Sequence, residues 1–277
     1  MEVKITTLSE NSAMMGCLGE WGLSMLVEFN GLKILFDTGA GHAAVHNAQI
    51  LGVDLAAVDL IVLSHGHHDH TGGLREVLRR TGPKPVIAHP DIWQRKYNRH
   101  KGEKERYIGI PFVREELESR GASFQLSREP MQIADGIMTT GEIPQVTEYE
   151  KIDEYLVVKD NGKASPDTFP DDLALIIDAD FGRVVILGCA HRGMVNTLYH
   201  ARQLCGDQPV YAVIGGTHLI HAGAERLALT QAALREIGVR YLGVSHCTGF
   251  TASMHLAQEF GETFFLNNSG NRFSLPF

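Results

Sequence analysis

The chain of 277 residues is 44% hydrophobic and carries a net charge of -8, enough for one large domain or two small ones around a sizeable core. That acidic balance argues against a surface devoted to nucleic acid or acidic lipid, and no apolar run approaches the roughly 20 residues of a membrane span. The opening MEVKITTLSEN lacks a signal-peptide pattern, and Cys17, Cys189, Cys205 and Cys247 make no CxxC pair, so the expectation is a reduced, cytoplasmic protein.

Short runs rich in Val, Ile and Leu predict buried strands, with helical patterns between them. Ser24–Phe29 and Leu32–Asp37 come first, joined at EFNG as a hairpin. A strand at Asp59–Ser64, a helix at Gly72–Thr81 and a strand at Lys84–His89 follow. From about 91 to 167 the periodicity weakens, and this stretch reads as an insertion or lid within one domain, 1–277. Strands resume at Leu173–Asp178 and Arg183–Gly188, joined at DADFG. A helix at Gly193–Leu204, a strand at Pro209–Gly215, a helix at Gly223–Gly238, a strand at Arg240–Ser245 and a helix at Ala252–Gly261 complete the chain. Strands alternating with helices, with some hairpins, indicate a layered α/β fold. No internal repeat is visible.

Histidine and aspartate gather where the strands end. DLIVLSHGHHDHTGG places His65, His67, Asp69 and His70 just after Ser64. His191 follows Gly188, His218 and His221 follow Gly215, His246 follows Ser245, and Asp37 ends its own strand. In layered α/β folds, functional groups collect at strand-end loops held by a rigid scaffold, so these loops should converge. Imidazole and carboxylate are ligands for zinc, iron or manganese. The imidazoles of His65 and His67 can reach one cation, and Asp69 and His70 can serve a second. Two ions about 3.5–4 Å apart would activate a water and clamp an anionic substrate.

HGHHDH has the form His-x-His-x-Asp-His, and with FDTGAG before it the chain resembles the metallo-β-lactamase superfamily. LGCAHRGMVN, VIGGTHL and SHCTG resemble a narrower group, the dihydropterin synthase-like proteins of methanopterin biosynthesis and their bacterial relatives. The resemblance implies a four-layer αββα sandwich with a dinuclear site between the sheets. It implies that His65 and His67 bind one ion, and that Asp69, His70 and His246 bind the other. Relatives place a bridging Asp or Cys where this chain reads GCAH. Cys189 or His191 fills that slot, with His191 favoured. Hydrolases of the superfamily carry a histidine ahead of this strand, whereas DTFPDDLAL has none; Asp171 or Asp172 is the substitute to look for. His218 reads equally as a ligand or as a hydrogen-bond partner to one, and Asp37 as such a partner.

The expected function is metal-dependent hydrolysis or group transfer on a phosphorylated small molecule. One or two divalent ions would serve it, zinc first and iron or manganese next, with Asp69 orienting the attacking group. The resemblance alone implies a specific version: condensation of a dihydropterin methyl diphosphate with a ribosyl-aminobenzene phosphate. The basic run Arg95–Arg106 is expected to be a solvated face or a phosphate grip. In the second case Arg95, Lys96 and Arg99 bind substrate and Trp93, Tyr97 and Tyr107 offer stacking surfaces. No nucleic-acid or membrane partner is expected, and homo-oligomerisation is left open. The rival readings are a non-catalytic metal-binding or sensing protein and a di-iron redox protein.

Overall fold

The computed structural model describes residues 2–277. One seven-stranded sheet runs, edge to edge, through Arg272–Leu275, Val3–Ser9, Ser24–Phe29, Leu32–Phe36, Leu60–Val62, Lys84–Ala88 and Ala122–Leu126. Its first three neighbour pairs are antiparallel and its last three parallel. The second sheet also has seven strands: Met131–Ala134, Ile137–Thr139, Ala174–Ala179, Gly182–Leu187, Val210–Gly216, Tyr241–Ser245 and Phe264–Leu266. It repeats the same order of antiparallel then parallel pairs.

Strand alternation sorts the side chains into layers. Ile34, Phe36, Val184 and Ile186 face the interior between the sheets. Their neighbours Leu35, Val185 and Leu187 pack outward. Leu74, Val77 and Leu78 of the helix Leu74–Thr81 cover the first sheet. Met194 and Leu198 of Met194–Cys205, Leu227 and Leu234 of Ala224–Ile237, and Leu256 of Phe250–Phe260 cover the second. Each such side chain contributes roughly 1.5–3 kcal/mol by leaving water. The result is the expected αββα sandwich. Both expected hairpins are present, and Asn30 and Gly31 adopt the positive φ that a tight turn of this hand requires. No helix among the described residues is long and apolar enough to cross a membrane.

The stretch 91–167 is not one insertion. Ala122–Leu126 extends the first sheet, and Met131–Ala134 and Ile137–Thr139 extend the second. What stands apart is a small sheet of Lys163–Pro166, Leu156–Asp160, Arg95–Asn98 and Arg106–Tyr107. Its strands are short and polar, which hides them from a search for apolar runs.

Arg183 shows how the second sheet is locked to its helices. It is the largest fully buried side chain. Its Nε donates to Asp178 at 2.7 Å, and its terminal nitrogens donate to the carbonyls of Gly206 at 2.9 Å and Cys205 at 3.0 Å. Those carbonyls close the helix Met194–Cys205, whose last turn has no bonds of its own to offer them. Arg183→Ala strands them, and we expect a loss of about 3 kcal/mol in urea denaturation. An unchanged midpoint would show that the guanidinium is dispensable.

Candidate metal centre

The parallel strands of both sheets end on one side, and their loops meet there. Asp37, just past Leu32–Phe36, is fully buried and has φ of 59°. Its carboxylate accepts from Ser64 N at 2.7 Å, from Ser64 Oγ at 2.7 Å and from His70 Nδ1 at 2.6 Å. Because Ser64 gives its proton to Asp37, His65 Nδ1 must donate to Ser64 Oγ, at 2.9 Å. His246 Nδ1 likewise meets Asn11 Oδ1 at 2.8 Å. In His65, His70 and His246 the proton therefore sits on Nδ1, and Nε2 keeps a lone pair. Gly188, across from this loop, must be glycine, since a Cβ there would lie 2.1 Å from Ser64 Oγ.

Two clusters result. His65, Cys189 and His191 bring one ligand atom each within 4.8 Å of one another, and so do His70, Cys189 and His246. The His67 ring lies 4.6 Å from that of His65 and 4.8 Å from that of His191. Asp69 Oδ2 lies 3.4 Å from His246 Nε2, and His70 Nε2 lies 3.1 Å from Cys189 Sγ. Cys189 is thus common to both clusters.

Burial pushes the imidazoles of His65, His67 and His191 well below their ordinary value, so all three are neutral. Burial raises the Asp69 carboxyl, but its close contact with the His246 imidazole and the nearby His70 ring outweighs it, and the net shift is well downward. Burial, together with the Cys247 thiol, holds the Cys189 thiol well above its usual range. His65 Nε2, His67 Nε2 and both ring nitrogens of His191 are buried without a hydrogen-bond partner among the described residues. Buried polar atoms are normally satisfied. Neutral imidazoles with free lone pairs, a thiol and an ionised carboxylate are the donors a divalent ion takes. The residues present fit such an ion.

Several expectations need correction. The sequence leaves the bridging slot to Cys189 or His191 and favours His191; in the structure the Cys189 sulphur is the donor common to both clusters. His191 instead stands beside His65 and His67, its ring 4.8 Å from each of theirs. Neither aspartate substitutes for the histidine that DTFPDDLAL lacks. Asp171 accepts from Gly66 N at 2.8 Å and from Lys96 at 2.8 Å. Asp172 accepts from Arg192 N at 2.8 Å, and burial raises its pKa to about 7. His218 belongs to neither cluster: its Nδ1 faces Asp153 at 3.5 Å.

The grip residues also move. Lys96 is fully buried in ion pairs with Asp167 at 2.7 Å and Asp171 at 2.8 Å, so it cannot meet substrate. Arg95 lines a separate hollow with Trp93 and Tyr97, and Arg99 is exposed outside the lining of the metal-side cavity. That cavity, of about 430 Å³, reaches from His67, Asp69, His191 and His246 to Asn98, His100 and Arg106. Trp21 and Tyr155 also line it. Of these, Trp21 and Tyr155 carry no signal in the sequence that sets them apart.

The sequence model of the metallo-beta-lactamase superfamily matches residues 22–237. The 7,8-dihydropterin-6-methyl-4-(beta-D-ribofuranosyl)-aminobenzene-5'-phosphate synthase of Methanocaldococcus jannaschii is 35% identical, over 95% of this chain and 93% of its own. A solved metal-dependent hydrolase of the beta-lactamase superfamily matches with a TM-score of 0.86 at 28% identity, over 98% of both chains. A diphosphatase from the PhnP family shares the fold, with a TM-score of 0.55 at 13% identity, over 99% of this chain and 98% of that one.

The neutral imidazoles make the metal-free protein sensitive to acid. When unfolded, His65, His67, His191 and His218 titrate near the ordinary 6.5; when folded, burial holds the first three well below it and puts His218 at about 4. In that window the unfolded chain binds more protons, so stability falls as pH falls. Asp172, raised to about 7, takes up its proton in the folded state and offsets part of this. For chelator-treated protein we expect the denaturation midpoint to drop as pH is lowered from about 6.5 towards 4, with each imidazole adding up to about 1.4 kcal/mol per pH unit. A midpoint that rises over that range would contradict the buried, neutral state.

Proposed function

Because the chain belongs to the metallo-beta-lactamase superfamily, we propose that it is a divalent-metal-dependent enzyme that hydrolyses or transfers a group on a phosphorylated small molecule. The observation that carries this reading is the cavity. Its floor holds the clusters around Cys189, and its far wall carries Arg106, an exposed arginine with no carboxylate partner among the described residues. Zinc is the ion proposed, since imidazole and thiol donors suit it.

His65, His67 and His191 would hold one ion, and Asp69, His70 and His246 the other, with Cys189 between them. The ions would supply Lewis acidity towards a phosphate oxygen and would favour the Cys189 thiolate. The protein's own groups do the rest. Asp37 fixes His70 directly and His65 through Ser64. Asp69, ionised, accepts a hydrogen bond from the attacking N–H or O–H and orients it. Arg106 grips a phosphate of the substrate, with His100 and Asn98 beside it. Trp21 and the Tyr155–His100 pair, stacked at 4.1 Å, offer flat surfaces to a ring system.

The finer version follows the synthase relative. A dihydropterin methyl diphosphate would condense with a ribosyl-aminobenzene phosphate, and diphosphate would leave. Full-length similarity to that synthase supports it. Zinc-loaded protein should be given the diphosphate substrate alone and then with the arylamine, and products identified by mass. Diphosphate release without the arylamine indicates hydrolysis; a joined product indicates the synthase reaction. No turnover of any phosphorylated substrate by protein with its ions bound would favour the non-catalytic reading.

On whichever substrate is turned over, Arg106→Ala should raise KM about 10- to 100-fold, the equivalent of one charged hydrogen bond. The change in kcat should be within about twofold, because the contact is made equally in ground and transition states. Arg95→Ala should leave both values alone. An unchanged KM for Arg106→Ala would remove the grip from this wall.

A further inference from the structure

Lys96 lies outside both clusters, yet two chains of contacts lead from it to their ligands. It sits in the small sheet, on the strand Arg95–Asn98, fully buried, with Nζ on Asp167 Oδ2 at 2.7 Å and on Asp171 Oδ1 at 2.8 Å. The other oxygen of Asp171 accepts from the backbone N–H of Gly66 at 2.8 Å. Gly66 is the residue between His65 and His67. It is also wedged, since a Cβ there would come within 2.3 Å of the Ile92 carbonyl. The backbone joining the two imidazoles is therefore pinned from both sides.

The second chain runs through Phe169. The Lys96 ammonium lies 4.4 Å from the centroid of the Phe169 ring. The other oxygen of Asp167 accepts from Phe169 N at 2.8 Å. Phe169 is fully buried with φ of 48°, a conformation that a bulky side chain keeps only when its surroundings hold it there. Its ring stacks on the His191 imidazole at 3.9 Å with 14° between planes, and meets the His67 ring edge-on at 5.3 Å. His191 has no hydrogen bond of its own to fix its plane. Where a ligand histidine usually has a carboxylate or carbonyl partner to orient it, His191 has an aromatic face.

We propose that Lys96 is a positioning residue for the His65–His67–His191 side of the metal centre, acting on the His-x-His backbone through Asp171 and on the His191 ring through Phe169. The inference rests on the metal-centre reading above. It explains how a ligand set can be kept in shape although His191 has no hydrogen bond of its own. It also ties the small sheet, which carries Arg106 and His100, to the metal ligands by one side chain.

The test uses metal alone. Wild type, Lys96→Met, Asp171→Asn and Phe169→Leu are stripped with chelator. Zinc affinity is then measured by competition with a chromogenic chelator, and the visible spectrum of the cobalt form is recorded. Arg183→Ala serves as a control that destabilises the fold far from the site. Phe169→Leu, which keeps bulk but loses the flat face, should weaken zinc binding about 10- to 100-fold and shift the cobalt bands, as should Lys96→Met. Arg183→Ala should lower the melting temperature and leave affinity and spectrum as in wild type. If Lys96→Met does not fold, Phe169→Leu and Asp171→Asn decide the matter. Wild-type affinity and spectrum in those two variants would overturn the proposal while leaving the metal centre intact. A wild type that takes up no zinc would overturn the metal-centre reading and this one with it.

Discussion

The Asp37 carboxylate is the constraint on which the site depends. Two oxygens hold three donors: a backbone N–H and a hydroxyl from Ser64, and an imidazole N–H from His70. A carboxylate buried this deeply persists only with such company. Its demands then fix everything above it. Ser64 cannot donate elsewhere, so His65 must, and the second ring nitrogens of His65 and His70 are left for the clusters around Cys189. Asp37 itself takes φ of 59°, in the left-handed region that aspartate tolerates better than most residues. Gly188 across the gap leaves no room for a side chain. One carboxylate thus ties together two strand ends of the first sheet, and Gly188 lets the second sheet close over them.

The two sheets repeat one pattern, three antiparallel pairs followed by three parallel pairs. Parallel neighbours point their C-terminal ends the same way, so the loops after Leu60–Val62, Gly182–Leu187, Val210–Gly216 and Tyr241–Ser245 can face one another across the sandwich. The first supplies the His-x-His-x-Asp-His run, the second Cys189 and His191, the fourth His246. The repetition is one of topology. It escapes a reading of the residues because strand pairing is set by backbone direction and burial, not by which apolar residue fills each position.

What the sequence makes legible is the set of strand ends. Val, Ile and Leu runs closed by Ser, Gly and His mark them, and eight expected strands lie within a few residues of observed ones. Val3–Ser9 is missed because VKITTLS mixes threonine and serine into the run. Its polar groups are buried with partners, Thr7 on Asn267 at 2.6 Å and Ser9 on Glu20 at 3.0 Å. Those partners are distant in the chain or ordinary in appearance. Lys96 fails for the same reason. In QRKYNRHKGEKER it looks like one charge among many, but strand alternation turns Arg95 outward and Lys96 inward. The acids that neutralise it lie 71 and 75 positions later. Spacing also cannot choose between Cys189 and His191. Ala190 between them has φ of 54°, a local turn that lets both reach the ligand cluster around His65.

The chain is acidic overall, yet the cavity is not. Seven of its lining residues are histidines and one is an arginine, against a single carboxylate, Asp69. The acids near the centre are spent on positioning: Asp37 on Ser64 and His70, Asp171 on Gly66 and Lys96, and Asp172 on Arg192. Such an arrangement keeps negative charge behind the ligands, where it steadies imidazoles, and away from the space where an anionic substrate would sit. Asp69 is the exception. Its place beside His246, with its ionised state, suits it to face a cation in a way that the other acids, already committed to protein donors, do not. The division also bears on how the site discriminates. On the proposed function, a ring system would find flat surfaces at Trp21 and Tyr155, and an anionic group would find Arg106, the one arginine of the lining.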